Sequence, residues 1–154
     1  MRLYLLRHGA ADWPNWDRSD DERPLTEGGK KEMRKVAKFL RALDIPLEEI
    51  VSSPLTRARE TADIVADRFK MHVREQEVLG HGFDVSGLKE IFLTYPVDHL
   101  MIVGHEPSFS EVVQALTGGD CKLSKGGVAV IDLNDGDMKG RLLWLFPPKI
   151  AKVL

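Results

Sequence analysis

Cysteine is almost absent from this sequence, because Cys121 is the single one among its 154 residues. A lone cysteine cannot form an intrachain disulfide, and no Cys or His accompanies it at the spacing of a zinc site. We therefore expect a fold that is held together by its hydrophobic core, with no zinc bound at Cys121.

Long apolar runs are also missing. The first one, residues 3–6, stops at Arg7, so it is shorter than the roughly 7–15 residues of a signal-peptide core. No segment approaches the ~18 apolar residues of a membrane-spanning helix. We therefore expect no membrane association and a cytoplasmic location, with which a single cysteine is consistent.

An excess of charge of either sign is the third absence. The 22 Lys and Arg residues nearly balance the 24 Asp and Glu residues, which gives a net charge of −2. This balance argues against binding nucleic acid through bulk positive charge, while a local cationic pocket remains compatible with it. The 43% of apolar residues and 30% of charged residues are typical of one globular domain, which we expect to span residues 1–154.

Short apolar segments alternate with helical stripes along the chain. Such alternation indicates parallel crossovers with helices on both faces of a sheet, and the last two strands form a hairpin. The sequence therefore predicts an α/β protein, a three-layer α/β/α sandwich with a mostly parallel central sheet. The predicted strands are residues 2–6, 50–52, 71–74, 100–103, 128–133 and 142–146.

Two histidines directly follow predicted strands. His8 comes after the first strand and His105 after the fourth. Ligands of open α/β sheets bind outside the carboxyl ends of the strands, so we expect these two side chains to share a site. Arg7 could hold an anion beside His8, and Gly9 would let the backbone approach that anion closely.

A third strand end carries an arginine. Ser53 is predicted to cap the helix after the second strand, with Pro54 in its first turn. Arg57 would then lie in the first helical turn, where free N–H groups and the helix dipole favour anions. Arg59 points to another side and is expected to pair with an acidic neighbour.

Residues 10–24 show no periodicity and are predicted to be a long loop, a kind of segment that often carries function. Arg23 lies there among Asp20, Asp21 and Glu22. From the residues alone, a surface ion pair and a role in the site are both open for Arg23. Two tryptophans of the loop, Trp13 and Trp16, could either line a substrate or pack over the loop.

In this order, Arg7-His8-Gly9, the helix start Ser53-Pro54-Leu55-Thr56-Arg57-Ala58 and Gly104-His105 resemble the histidine phosphatase superfamily. The chain is most similar to the small phosphohistidine phosphatases of the SixA type, whose Arg-Pro-Leu-Thr segment Arg23-Pro24-Leu25-Thr26 matches. This resemblance extends over nearly the whole chain. It implies a phosphoglycerate mutase-like fold without a cap domain, and a metal-independent phosphatase that needs no cofactor.

The resemblance also implies a reaction. One ring nitrogen of His8 would attack phosphorus while a backbone carbonyl holds the other, and water would hydrolyse the resulting phosphohistidine. Positive charge around the phosphate would come from Arg7, Arg23, Arg57 and a protonated His105. The implied substrate is a phosphorylated protein, such as a phosphotransfer or phosphocarrier domain, and inorganic phosphate or sulfate could occupy the same site.

A general acid is harder to assign. Glu77 lies nearest to the place where acid-using relatives carry a Glu, but the surrounding segment departs from their pattern. His81 and Asp84 are rival candidates in the same loop. An imidazole leaving group whose ring is already protonated needs no such acid.

Three other functions remain open. A small-molecule phosphomonoesterase or mutase of the same superfamily is one, although Ala10-Ala11-Asp12 lacks the Ser and Asn typical of the mutases. A non-catalytic phosphate-binding module is another, but binding alone would need only the arginines. A metallohydrolase using His8, His81 and His105 is the third, and the ligand spacing argues against it.

Overall fold

A computed structural model describes residues 1–153. Within this range, six strands alternate with four α-helices, and short 3-10 helices cover Asp20–Glu22, Glu77–Leu79 and Pro148–Val153. The strands are β1 (Arg2–Arg7), β2 (Glu49–Ser52), β3 (Val73–Glu75), β4 (His99–Gly104), β5 (Val128–Leu133) and β6 (Gly140–Phe146). The helices are α1 (Glu27–Ala42), α2 (Thr56–Phe69), α3 (Val85–Thr94) and α4 (Ser108–Thr117).

All six strands form one sheet in the order β3-β2-β4-β1-β5-β6. The first four strands of this order are parallel, whereas β5 runs antiparallel to β1 and β6 antiparallel to β5. The predicted mostly parallel sheet and its terminal hairpin are therefore confirmed. Because β1 and β4 are parallel neighbours, their carboxyl ends meet at one edge.

Two apolar cores cover the two faces of the sheet. Along β1, Tyr4 and Leu6 pack into the core beneath α1 and α2, while Leu3 and Leu5 pack into the core beneath α3 and α4. This alternation is what the period of two in a strand requires when both faces are buried. The predicted three-layer sandwich is confirmed.

Helix α1 begins as the sequence predicts. The Thr26 hydroxyl accepts a hydrogen bond from the Gly29 N–H, and Met33, Val36 and Leu40 are buried on one face. Such a cap satisfies one of the free N–H groups in the first turn. None of the helices among residues 1–153 combines the length and hydropathy that crossing a membrane requires.

The start of α2 differs from the prediction. The helix begins at Thr56, and Leu55 precedes it without a side-chain cap. The Ser53 hydroxyl accepts instead from the Leu55 N–H, at 3.2 Å, in the turn before the helix. Pro54 therefore lies in this turn and not in the helix, but Arg57 is still in the first helical turn.

Candidate active site at the strand ends

The two strand-end histidines meet at the carboxyl edge of the sheet. Arg7 and Gly104 are register partners at the ends of β1 and β4, and the His8 N–H donates to the Gly104 carbonyl at 3.1 Å. The ring centroids of His8 and His105 are 5.3 Å apart. The structure thus brings together the two imidazoles that the sequence places after separate strands.

The ring of His8 is held in one tautomer. Its Nδ1 lies 2.7 Å from the carbonyl oxygen of Gly9, and because a carbonyl can only accept, Nδ1 carries the proton. The lone pair is then on Nε2. Burial, together with the charges of Arg57, Arg7 and Arg23, lowers the pKa of His8 to about 4, although the hydrogen bond to Gly9 acts in the opposite direction. The imidazole is therefore neutral near pH 7.

His105 is held through its other ring nitrogen. Its Nε2 lies 2.8 Å from the Ser53 hydroxyl oxygen, which already accepts from the Leu55 N–H. The hydroxyl proton of buried Ser53 has no other acceptor among residues 1–153, so we assign it to Nε2, and Nδ1 of the neutral ring then carries the N–H. Burial and then the charges of His8 and Arg57 lower the pKa of His105 to about 3. The ring is neutral near pH 7 in this structure and offers a polar N–H, while its protonation beside a bound phosphate stays a prediction.

Three buried N–H groups at this edge have no hydrogen-bond acceptor among residues 1–153. They are Nε of Arg7, Nε of Arg57 and Nδ1 of His105. Leaving a buried donor without an acceptor costs roughly 1–3 kcal/mol, so native structures rarely do so without a reason. Three such donors at the sheet edge that carries His8 form a site that is suited to an anion.

The remaining nitrogens of two arginines are fixed by the protein. Arg7 donates from Nη1 to the Leu123 carbonyl at 2.9 Å. Arg57, whose side chain is only 8% exposed, donates from Nη1 to the Asp20 carbonyl at 2.8 Å and from Nη2 to the Asp20 carboxylate at 3.2 Å. These contacts orient both guanidinium groups in advance of ligand binding.

Arg23 combines the two alternatives that the sequence leaves open. Its Nε and Nη2 lie 3.1 and 3.0 Å from Oδ1 of Asp20, and its Nη1 donates to the Ala11 carbonyl. The same Asp20 carboxylate contacts Arg57 through Oδ2. Arg23 is thus in an ion pair, and this pair joins it to the site.

Several supporting residues were missed by the sequence analysis. Buried Thr61 accepts from the Gly9 N–H at 3.1 Å and donates to the Arg57 carbonyl at 2.8 Å, so it ties α2 to the turn of His8. The Glu106 carboxylate accepts from the N–H groups of Ser110 and Leu123, at 2.8 and 3.2 Å. The contacts of Thr61 with Gly9 and of Glu106 with Leu123 join residues distant in sequence, so no local pattern predicts them.

The glycines beside the two histidines have no room for a side chain. A Cβ atom at Gly9 would lie 2.6 Å from Cγ of Met33, and one at Gly104 would lie 2.7 Å from Cζ of Phe109. Distances this short would force the backbone or the neighbouring side chain to move. Close packing against the two cores therefore fixes the position of both turns.

The three candidates for a general acid lie outside the hydrogen-bonded set. Glu77 is exposed in its 3-10 helix, and the Asp84 carboxylate caps α3 by accepting from the Gly87 N–H at 3.0 Å. His81 is hydrogen-bonded through Nε2 to Asp21 at 2.7 Å. None of the three is hydrogen-bonded to His8 or His105 in the described part of the chain, so the role of Glu77 stays a prediction.

Two further predictions concern residues away from the site. Arg59 pairs with Asp63 and Glu75 at 3.1 and 3.3 Å on the outside of α2. Across residues 1–153, no three His, Cys, Asp or Glu side chains form a group that could hold a metal ion. His81 is accordingly not grouped with His8 and His105 as a metallohydrolase would require.

Comparison with known proteins agrees with this geometry. The family described as histidine phosphatase superfamily (branch 1) matches residues 3–81. An uncharacterized protein of Picosynechococcus sp. is 34% identical over 140 residues, which cover 83% of this chain and 82% of that protein. The phosphohistidine phosphatase SixA of Escherichia coli K12 is 27% identical over 165 aligned positions, covering 100% of both chains.

Solved structures show the same fold. The protein histidine phosphatase SixA complexed with tungstate superimposes with a TM-score of 0.86 at 25% sequence identity, over 97% of this chain and 99% of that one. The fold is therefore phosphoglycerate mutase-like, with no separate cap domain in the described residues. On the family match and the full-length similarity to SixA, this chain belongs to the histidine phosphatase superfamily and is a phosphatase of the SixA type.

Proposed function

We propose that this phosphatase removes phosphate from phosphohistidine in another protein, through a covalent phosphohistidine at its own His8. The observation that carries the proposal is the opposite orientation of the two imidazoles. His8 offers a lone pair on Nε2, while His105 offers an N–H from Nδ1. Nucleophile and donor are thus adjacent, and the unpartnered Nε–H groups of Arg7 and Arg57 lie at the same edge.

In the first half-reaction, Nε2 of His8 forms a bond to phosphorus. The bond between phosphorus and the substrate nitrogen breaks, and the departing imidazole keeps the electron pair. If the other nitrogen of that ring carries a proton, the imidazole leaves as a neutral molecule. The N–H groups of Arg7, Arg57 and His105 would hold the equatorial oxygens, as would Arg23, so that their negative charge is stabilised.

In the second half-reaction, the oxygen of water forms a bond to phosphorus and the bond to Nε2 breaks. The electron pair returns to His8, a water proton passes to the phosphate or to solvent, and inorganic phosphate leaves. The low pKa of His8, about 4, supports this role because the ring returns to its neutral, nucleophilic form near pH 7.

The preference for a protein substrate is supported by the openness of the site. Nothing in residues 1–153 forms a cap domain over the strand ends, so a phosphorylated side chain of a phosphotransfer or phosphocarrier domain could reach His8. Escherichia coli SixA is a phosphohistidine phosphatase, and the SixA structure holds tungstate, a tetrahedral oxyanion like phosphate. A histidine leaving group also removes the need for an acid at Glu77.

The test compares a phosphohistidine-containing protein with an aryl phosphate as substrates of the wild type, His8→Ala and His72→Ala. His72 is exposed and distant from the site residues in sequence, so it serves as the matched control. We expect rapid release of phosphate from phosphohistidine, and an acid-labile phosphoenzyme on rapid quenching, for the wild type and His72→Ala only. Turnover of both substrates by His8→Ala at the wild-type rate would overturn the proposal.

The same measurements separate the other functions. Hydrolysis of phosphoglycerate with phosphohistidine untouched would indicate a small-molecule phosphomonoesterase or mutase. Thermal stabilisation by phosphate without any turnover would indicate a binding module. Loss of activity with a chelator would indicate a metallohydrolase.

A further inference from the structure

The Asp20 carboxylate is the centre of the ionic contacts beside the histidines. It contacts Arg23 through Oδ1, at 3.1 Å to Nε and 3.0 Å to Nη2, and Arg57 through Oδ2, at 3.2 Å. The Asp20 backbone carbonyl accepts a further hydrogen bond from Arg57 at 2.8 Å. Partial burial would raise the pKa of Asp20, but the hydrogen bond from Arg23 and the charge of Arg57 hold it below its usual range.

The contacts leave one edge of each guanidinium group available. On Arg57, Asp20 occupies Nη1 and Nη2, and the buried Nε–H has no partner among residues 1–153. On Arg23, Asp20 occupies the edge formed by Nε and Nη2, and the Ala11 carbonyl accepts from Nη1, so each terminal nitrogen keeps one hydrogen without an acceptor among residues 1–153. A guanidinium group has five N–H donors, and Asp20 uses only part of them.

Packing alone does not hold the turn that carries Asp20. The 3-10 helix Asp20–Glu22 has no buried residue, so polar contacts must fix it. Besides the arginines, these are the hydrogen bond between Asp21 and His81, at 2.7 Å, and the indole N–H of Trp16 on the Ser19 carbonyl, at 2.9 Å. Among these contacts, those of Asp20 are the ones that join the turn to Arg23 and Arg57.

We propose that Asp20 is a positioning residue, whose carboxylate holds Arg23 and Arg57 with their free edges towards the phosphate. Two neighbouring guanidinium groups repel each other. This repulsion opposes holding both cations in one site unless an anion lies between them. Asp20 supplies this anion from the side of the arginines that the phosphate does not use. This inference rests on the proposed phosphate site and adds to it the residue that assembles its cationic wall.

The opposite role would be that of a competitor. A carboxylate that occupied the phosphate position would have to leave before substrate binds, and its removal would strengthen anion binding. The two roles therefore predict effects of opposite sign on the affinity for inorganic phosphate. The unpartnered Nε–H of Arg57 favours positioning, because Asp20 leaves this donor unused.

The experiment titrates inorganic phosphate by calorimetry into the wild type, Asp20→Ala, Asp20→Asn and Glu22→Ala. Glu22 is exposed in the same turn and has no ion pair with Arg23 or Arg57 among residues 1–153, so its variant removes the same charge without the contacts. We expect the phosphate Kd to rise about ten-fold or more in Asp20→Ala, as for other lost charge-assisted hydrogen bonds. Glu22→Ala should keep the Kd of the wild type or lower it slightly.

The conservative variant sharpens the test. In Asp20→Asn, an amide oxygen can still accept from Arg23, but the amide nitrogen cannot accept from Arg57, so its Kd should lie between those of the wild type and Asp20→Ala. The melting temperature should stay unchanged in Glu22→Ala and fall slightly in Asp20→Ala, where the buried guanidinium of Arg57 loses its ion-pair partner. In an Arg23→Ala background, Asp20→Ala should raise the phosphate Kd by a smaller factor than it does alone, because part of its effect acts through Arg23.

Unchanged or tighter phosphate binding in Asp20→Ala would overturn the inference, as would an equal effect of Glu22→Ala. Phosphate binding is measured without turnover, so these outcomes are independent of whether His8 is the nucleophile. Conversely, an active His8→Ala variant would reject the proposed function and leave the phosphate titration unaffected.

Discussion

The turns after β1 and β4 are alike in sequence and opposite in chemistry. Each places a histidine beside a glycine at the same sheet edge, and each imidazole, buried in His8 and half-buried in His105, is neutral and held by one hydrogen bond. In His8 the held atom is Nδ1, which donates to a carbonyl, whereas in His105 it is Nε2, which accepts from a hydroxyl. The hydrogen-bond partner of one ring nitrogen therefore decides whether the other nitrogen offers a lone pair or an N–H.

The largest effect is expected when His8 and His105 are replaced separately. His8→Asn removes the proposed nucleophile and should lower kcat for phosphohistidine hydrolysis by about 10⁴-fold or more. His105→Asn keeps an N–H donor near the same position and should lower kcat by no more than about 10²-fold, the loss expected when an oxyanion donor is removed altogether. Single-turnover kinetics with rapid quenching should detect a phosphoenzyme in His105→Asn and none in His8→Asn. Equal losses in the two variants would contradict the assignment of opposite roles.

Acid should destabilise the folded protein through both histidines. Below pH 6.5 the unfolded chain binds a proton at each histidine, whereas the folded chain does so only below about pH 4 at His8 and about pH 3 at His105. The unfolded state therefore holds more protons, and the free energy of unfolding falls as the pH falls, by at most about 1.4 kcal/mol per pH unit for each histidine.

Chemical denaturation at pH 7, pH 5.5 and pH 4.5 checks this expectation. The free energy of unfolding should fall less steeply in His8→Asn and His105→Asn than in the wild type, while the exposed control His72→Asn should follow the wild type. Carboxylates titrate in the same way in all four proteins, so they do not affect the difference. Four parallel profiles would show that the two imidazoles titrate normally.

A smaller effect tests how His105 is held. Ser53→Ala removes the hydroxyl that donates to Nε2, so the proton of the neutral ring can move from Nδ1 to Nε2, and kcat should fall about ten-fold. Nitrogen chemical shifts of the His105 ring should report the change of tautomer. Ser52→Ala is the control, because this neighbouring buried hydroxyl donates to the Ser53 carbonyl and does not contact the ring. An unchanged tautomer in Ser53→Ala would assign the control of His105 to other contacts.

The sequence predicts these turns well because their signals are local. The apolar runs of β1 and β4 end at His8 and His105, so the parallel sheet alone brings the two side chains together. The capping role expected of Ser53 was wrong. Its hydroxyl is used for the turn before α2 and for His105, a residue far away in the chain.

The contacts of Asp20 mark a second limit. Arg23 is three residues away and could be paired with it from the sequence, but Arg57 is 37 residues away. The hydrogen bonds between Asp20 and Arg57 depend on how an exposed 3-10 turn lies against α2, and no periodicity in the sequence predicts this arrangement. The sequence does not assign a role to Glu77 either, because this residue is exposed and the segment around it departs from the family pattern.

Gly9 and Gly104 couple the position of each imidazole to the packing of the protein interior. The backbone of the first turn rests on the Met33 side chain and that of the second on the Phe109 ring, with no space for one additional carbon atom. The separation between the two imidazoles is therefore set by α1 and α4, through the volumes of two core side chains that lie outside the proposed phosphate site. Exchanging those core side chains for larger or smaller ones would retune the reaction distance while every residue of the site stays in place.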